Sequence, residues 1–331
     1  MNWTWLLLGV LGIVLAVVGF VLVKYVRIIL NIFLDVLTVS PPRPHKLDGE
    51  GVAFRSLDGL ALNGVFLPAT RRPRGTIVFC HEFGANAASA ADFAMFLRER
   101  FNLFTFDFRA HGRSTTPRGY RPHQWPTTHE VRDVLGAVAY VRSRPGGADL
   151  PVGLFGISRG GAAAICAAAR APHVRAVAAD GAFATRLLLQ TYMIRWIGVY
   201  SNLRFIYTRL PNWVYTGVRQ MAMLVAFIRL GRRFPSVRRA IRRLSPKAVM
   251  LVHGARDTYV RKEHAEVLYD LAREPKRLWM VPGARHNQSA ATAPDEYRAR
   301  VTAFFTTYLA PEPAGAPSTA AVRPAADAPP A

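Results

Sequence analysis

Charged side chains are missing from the start of this 331-residue chain: no Asp, Glu, Lys or Arg occurs between Met1 and Val23. That absence excludes a solvated surface helix, and "WLLLGVLGIVLAVVGFVLV" is long and apolar enough to cross a bilayer. A cleavable signal peptide is the competing reading. Against it stand the missing basic start, the length of the apolar stretch and the lack of a small-x-small cleavage site. Residues 1–24 are therefore expected to be a retained, single-pass transmembrane anchor. Lys24 and Arg27 follow at once, Arg43 and Lys46 soon after, and no basic residue precedes. The positive-inside rule then puts the N-terminus outside and the main domain in the cytoplasm.

Cysteine is scarce as well. Cys80 and Cys166 are the only two, in apolar surroundings without framework spacing, which excludes a disulfide scaffold and suits buried free thiols. There is no Cys-x-x-Cys pair, phosphate-binding glycine loop or metal-ligand cluster, and "HEVRD" at His129 lacks the second histidine of a zinc helix. No cofactor and no metal are expected. Acidic residues are absent between Asp180 and Asp257, where fourteen Arg or Lys lie in a chain whose net charge is +22. Such a basic surface suits nucleic acid, anionic lipid or an acidic substrate. No nucleic-acid recognition module is present, so beside an anchor the expected partner is anionic lipid.

What is present alternates. "GVAFRS" and "LALNGVFLPA", joined by a turn, predict a β-hairpin. "GTIVFC", "FNLFTFDF", "LPVGLFG", "VRAVAAD", "AVMLVHG" and "KRLWMVPG" predict further strands. Between them "AASAADFAMFLRER", "TTHEVRDVLGAVAYVRS" with its Thr cap, "RGGAAAICAAAR" and "KEHAEVLYDLAR" predict helices, and "PDEYRARVTAFFTTYL" predicts a last one. This alternation implies an α/β domain with a mostly parallel sheet covered by helices on both faces. The domain is expected over residues 47–309. Residues 25–46 should hold a juxtamembrane helix running along the interface, ended by the Pro-rich "SPPRPHK". Residues 184–244 interrupt the alternation with a basic, aromatic insertion, expected as a helical lid; residues 310–331 are Ala/Pro-rich and expected to be a disordered tail.

The chemistry centres on "GISRGG". An apolar strand leads into a Gly-flanked Ser158, and a helix of small residues follows. That is the setting of a nucleophile on a strained strand-to-helix turn, where larger neighbours would collide. The tight-turn alternative lacks a reason for the whole arrangement. The helix N-terminus supplies partial positive charge, and the backbone N–H of Arg159 becomes one oxyanion donor.

Further motifs follow in order: "HEFGANA" after the strand "GTIVFC", "FDFRAHGRS", "LVHGARDTYV" and "VPGARHNQ". Over about Leu47 to Leu309 the chain resembles the α/β-hydrolase superfamily, which carries a His-Gly motif at the first and an Asp-x-Arg-x-x-Gly-x-Ser loop at the second. It looks nearest to the serine aminopeptidase, lysophospholipase and thioesterase-like branch. The resemblance implies an α/β-hydrolase fold and a second oxyanion N–H on Phe83. Glu82 stands where the family usually has Gly, a carboxylate beside a site built for negative charge. It is expected to point away, paired with an arginine, or else to contact a cationic substrate group. His81 is expected to order the oxyanion loop, and Asp107, Arg109 and His111 to brace the next one.

A serine hydroxyl needs a histidine base held by a carboxylate. His286 follows the last strand and Asp257 follows "AVMLVHG", so Ser158, Asp257, His286 have the chain order this fold uses. Asp180 is the alternative acid, used at that position in some relatives. The expected function is a membrane-anchored serine hydrolase that forms an acyl-enzyme on carboxylic esters or thioesters, with lipid-like ones favoured by the anchor and the basic aromatic insertion. The alternatives are peptide hydrolysis or acyl transfer by the same triad, and a non-catalytic membrane scaffold.

Overall fold

The computed structural model describes residues 3–34, 46–200 and 211–309. Eight strands form one sheet: β1 (Glu50–Arg55), β2 (Ala61–Leu67), β3 (Thr76–Cys80), β4 (Asn102–Phe106), β5 (Val152–Ile157), β6 (Val174–Asp180), β7 (Ala248–Gly254) and β8 (Lys276–Val281). Their order is β1-β2-β4-β3-β5-β6-β7-β8. The hairpin β1–β2 and the β2–β4 pair are antiparallel, and every other neighbour is parallel. Alternation along a strand divides the core. In β3, Ile77 and Phe79 face one layer while Val78 and Cys80 face the other.

On one face lie α3 (Thr128–Ser143) and α4 (Arg159–Ala168), whose Val131, Val134, Ala162 and Ile165 are buried with Val78, Phe104 and Leu154. The other face is covered by α10 (Pro294–Tyr308) through Tyr297, Val301, Phe304 and Phe305, and by α2 (Ala90–Phe93). The helix α8 (Lys262–Leu271) joins the first face through Leu268, and the short α9 (Ser289–Thr292) precedes α10 on the second, where Ala290 packs. The architecture is the α/β-hydrolase fold.

One element departs from expectation. "AASAADFAMFLRER" is not a single helix: a 3-10 turn at Ala87–Ser89, the short α2 and a second 3-10 turn at Met95–Glu99 replace it. Tertiary hydrogen bonds tie down the start of the segment: Ala87 N–H donates to Asp107 at 2.7 Å, and the Thr105 hydroxyl donates to the Ala87 carbonyl at 2.8 Å.

The insertion supplies α5 (Thr185–Tyr200), α6 (Asn212–Leu230) and α7 (Val237–Ile241). Val237, Ala240, Ile241 and Leu244 join the layer that covers the sheet, whereas α5 and α6 build a separate apolar cluster. That cluster includes the end of α1 (Trp3–Leu34). Among the described residues α1 is the one helix long and apolar enough to cross a membrane, with mean hydropathy 3.1. Its first six turns hold exposed Trp, Leu, Ile, Val and Phe side chains. The segment from Ile28, expected along an interface, continues the same helix to Leu34 and docks on the insertion. Val26, Ile29, Leu30 and Phe33 are between 1% and 7% exposed there. Trp125 stacks on Phe33 and donates its indole N–H to the Phe33 carbonyl at 2.9 Å, capping a helix-end acceptor. Residues 35–45 and the Ala/Pro-rich tail from 310 lie outside the described residues.

Candidate active site

Ser158 sits between β5 and α4 with φ 51° and ψ −115°, a backbone conformation costly for a residue with a Cβ. Its neighbours explain the glycines. A Cβ on Gly156 would lie 2.6 Å from the Gly160 carbonyl, and one on Gly160 would strike the carbonyls of Cys80 and His81. Only hydrogen at these positions lets β5, β3 and α4 converge. The turn is held from below by the Ser158 N–H, which donates to the Asp180 carbonyl at 2.7 Å.

The residues expected to complete a triad meet here. Ser158 Oγ lies 2.9 Å from His286 Nε2, and His286 Nδ1 lies 2.6 Å from Asp257 Oδ2. Asp257 is aimed by the N–H groups of Tyr259 and Val260, which donate to its other oxygen at 2.9 and 2.8 Å. With Nδ1–H donating to the carboxylate, Nε2 is the free base facing the hydroxyl. The ring of Tyr259 packs 5.0 Å from that of His286. On the other side, Gly181 at φ +65° leaves the histidine room: a Cβ there would come within 3.3 Å of Cε1.

Asp180, the alternative acid, does not reach His286. Its buried carboxyl accepts from the Ser289 hydroxyl at 2.9 Å and from Tyr297 at 3.1 Å. Burial pushes its pKa up to about 7 against those two hydrogen bonds.

Phe83 and Arg159 flank the serine, and neither backbone amide has a hydrogen-bond partner among the described residues. Two unpaired donors beside a nucleophile can hold an oxyanion. His81 orders the loop that carries Phe83. Its Nδ1 lies 2.6 Å from the Glu82 carbonyl, and its Nε2 accepts from Phe108 N–H at 3.2 Å. Burial keeps this ring neutral. Asp107 receives the Ala87 and Arg113 amides at 2.7 Å each, and Arg109 is bound by Asp133 and Asp58, at 2.6 and 2.8 Å. These brace the adjoining loops.

The arginine expected beside Glu82 is absent among the described residues. The carboxyl instead accepts from the Ser89 hydroxyl at 2.8 Å, and burial raises its pKa against that hydrogen bond and its own backbone amide. The buried Arg159 is committed elsewhere. Its side chain is 1% exposed and pairs at 2.5 Å with Glu130, which is fully buried. Burial alone would raise the Glu130 carboxyl, but the Arg159 charge and hydrogen bonds from Tyr120 and Thr127 hold it down at about 2. Arg159 also lies over the rings of Phe83 and Phe108. Sequence reasoning gave Arg159 a role through its amide alone and missed Glu130 and Tyr120. The Thr-x-x-Glu spacing from Thr127 to Glu130, a capping-box signature, was the available signal.

A cavity of about 650 Å³ lies at the β1–β2 edge by Asp107 and Arg113, and none of Ser158, Asp257 and His286 lines it. No cluster of three or more metal-ligating side chains occurs among the described residues.

Comparison with known proteins agrees with the fold. A family model described as serine aminopeptidase, S33, matches residues 71–224. The uncharacterized protein YfhR of Escherichia coli (strain K12) is 28% identical over 277 residues, 81% of this chain and 84% of that protein. Thiohydrolase aneE of Aspergillus aculeatus is 30% identical over 129 residues, 38% of this chain and 39% of that protein. Among solved structures, the Pyrococcus furiosus esterase Pf2001 superposes with a TM-score of 0.60 at 20% identity, covering 83% of this chain and 99% of the esterase. Dienelactone hydrolase from Anabaena variabilis gives 0.54 at 18%, covering 79% and 99%. By fold the chain is an α/β hydrolase, and in sequence it is similar to the serine aminopeptidase family and to these relatives.

Proposed function

We propose that this hydrolase is a membrane-anchored serine esterase or thioesterase with Ser158, His286 and Asp257 as its triad. The observation that carries the proposal is the unbroken relay from Asp257 through His286 to the Ser158 hydroxyl, flanked by two unpaired amides. His286 Nε2 takes the Ser158 proton as the oxygen attacks an acyl carbonyl. The N–H groups of Phe83 and Arg159 receive the oxyanion of the tetrahedral intermediate. His286 then protonates the leaving alcohol or thiol, and Asp257 stabilises the imidazolium. A water deprotonated by the same nitrogen releases the acyl group and restores Ser158.

Lipid-like esters or thioesters are the proposed substrates. Support comes from α1, a 32-residue apolar helix docked against the insertion beside the site, and from that insertion's surplus of arginine. In the proposed topology α1 crosses the membrane once and the hydrolase domain faces the cytoplasm. The relatives' names, esterase and thiohydrolase, favour ester chemistry. The serine aminopeptidase match supports peptide hydrolysis by the same triad as a second reading.

Full-length protein in vesicles, treated with a fluorophosphonate probe, tests the nucleophile. Wild type should label and Ser158→Ala should not, with hydrolysis falling on the order of a million-fold. A folded wild type that fails to label sinks the enzyme reading and leaves the scaffold. A panel of p-nitrophenyl esters and p-nitroanilides, run with and without vesicles, tests the substrate. Longer acyl esters should be preferred, more so with vesicles; amide preference would favour the peptidase.

A further inference from the structure

The insertion carries a charge that the hydrolytic site does not use. Arg186 at the start of α5, Arg219 in the middle of α6, and Arg238, Arg239 and Arg242 around α7 line one cavity of about 330 Å³. Arg186 and Arg219 also line the adjoining cleft of about 450 Å³, together with Arg233. None of these six has a carboxylate partner among the described residues, and no acid occurs in the sequence from Gly181 to Arg256.

The gathering costs free energy as it stands. Arg219 is partly buried, and among the described residues its guanidinium finds only the amide oxygen of Gln190, at 2.5 Å. Burial, with the charges of Arg186 and Arg238, lowers its pKa. Thr185 lines the same cavity, is 1% exposed, and its hydroxyl has no hydrogen-bond partner among the described residues. The N-terminal turn of the 16-residue α5 opens onto this cavity at Ala184 to Leu187, adding the positive end of the helix dipole. A multivalent anion with several acceptor oxygens would relieve the repulsion. Guanidinium forks match phosphate in this way.

We propose that this cavity is a binding site for a phosphate group, separate from the hydrolytic centre, since none of Ser158, Asp257 and His286 lines it. The adjoining cleft points to phosphate carried on a lipid. Met223, Leu224, Phe227 and Phe234 make its apolar wall. The Phe234 ring meets that of Phe33, in the last turn of α1, edge-on at 4.9 Å. Arginines and apolar wall thus sit beside the end of the helix proposed as the anchor. This lipid source rests on the anchor reading, whereas the phosphate site itself rests on neither the anchor nor the triad.

The test uses full-length Ser158→Ala protein in neutral detergent, so that no ligand is hydrolysed. Thermal unfolding is followed with inorganic phosphate, glycerol 3-phosphate, dihexanoyl phosphatidic acid and, as a zwitterionic control, dihexanoyl phosphatidylcholine. Phosphate-bearing anions should raise the Tm by about 5 °C at a hundredfold excess over Kd. Arg186→Gln/Arg219→Gln should bind at least tenfold more weakly, while Arg229→Gln/Arg243→Gln, which removes the same charge outside the cavity, should bind as the parent. The unliganded Tm reports folding, and Arg186→Gln alone, at an exposed position, repeats the test should the double variant unfold. Stronger binding of phosphatidic acid than of inorganic phosphate supports a lipid-borne phosphate; equal binding supports a soluble one. No stabilisation, or equal loss in both double variants, overturns the site.

Discussion

Asp180 ends β6 directly beneath the reactive serine, and its carboxyl spends both oxygens on Ser289 and Tyr297 rather than on His286. Burial raises its pKa from an ordinary 3.8 to about 7. The folded protein therefore keeps this proton to a higher pH than the unfolded chain does. The associated stability is complete below about pH 4 and is lost as pH rises through 7. Asp180→Asn should flatten that dependence, gaining on wild type above pH 7 by at most ~4 kcal/mol and converging with it near pH 4. Tm measured from pH 4 to pH 8 decides; a wild-type profile already flat in that window would contradict it. Glu82 poses the opposite problem at the same scale. Its residue type was legible, but its partner, the Ser89 hydroxyl, depends on a loop whose path no local spacing encodes.

At the scale of elements, α3 and α4 are joined through a buried ion pair that ties the capping box of one to the first residue of the other. Thr127 and Glu130 form that box at the start of α3, and Glu130 meets Arg159 at the start of α4. Removing the charge by Glu130→Gln leaves the guanidinium buried without a counter-charge and should cost about 3–5 kcal/mol. Urea denaturation checks it, and a loss below ~1 kcal/mol would show that the pair is not needed. The Thr cap of α3 could be seen in "TTHE". Its tie to Arg159 spans 29 positions and could not. After β3 helical periodicity was likewise present, but the contacts that Asp107 and Thr105 make with Ala87 come from 18 to 20 positions away and could not be read locally.

Over the whole molecule, aromatic rings run from α1 to the site. Phe33 meets Trp125 at 5.1 Å, Trp125 meets Tyr192 at 6.0 Å, Tyr192 meets Tyr259 at 5.8 Å, and Tyr259 meets His286 at 5.0 Å. The end of α1 is thus part of the insertion's apolar cluster as well as of the proposed anchor helix. A chain begun at Lys24 keeps Val26, Ile29, Leu30 and Phe33 and should stay monodisperse and folded. A chain begun at Lys46 uncovers the apolar face of Trp125, Leu188, Ala222 and Ala226, and should aggregate or lose several degrees of Tm. Size-exclusion chromatography and thermal unfolding of the two chains separate a docked helix from a mere tether; equal behaviour would support the tether.

Local order along the chain was enough to announce the strand–helix alternation, the glycine-flanked Ser158 and an apolar N-terminal helix. Each depends on residues within a few turns of one another, where side-chain period and backbone sterics act directly. The choice between Asp257 and Asp180 as partner of His286 was made by the sheet, which sets β6 beside β7 and lets only one carboxylate reach Nδ1. Folding likewise decided that α1 docks on the insertion, that Arg159 turns inward to Glu130, and that six arginines gather around two joined clefts. These are contacts between distant positions, governed by burial and charge compensation, and the linear sequence carries no register for them.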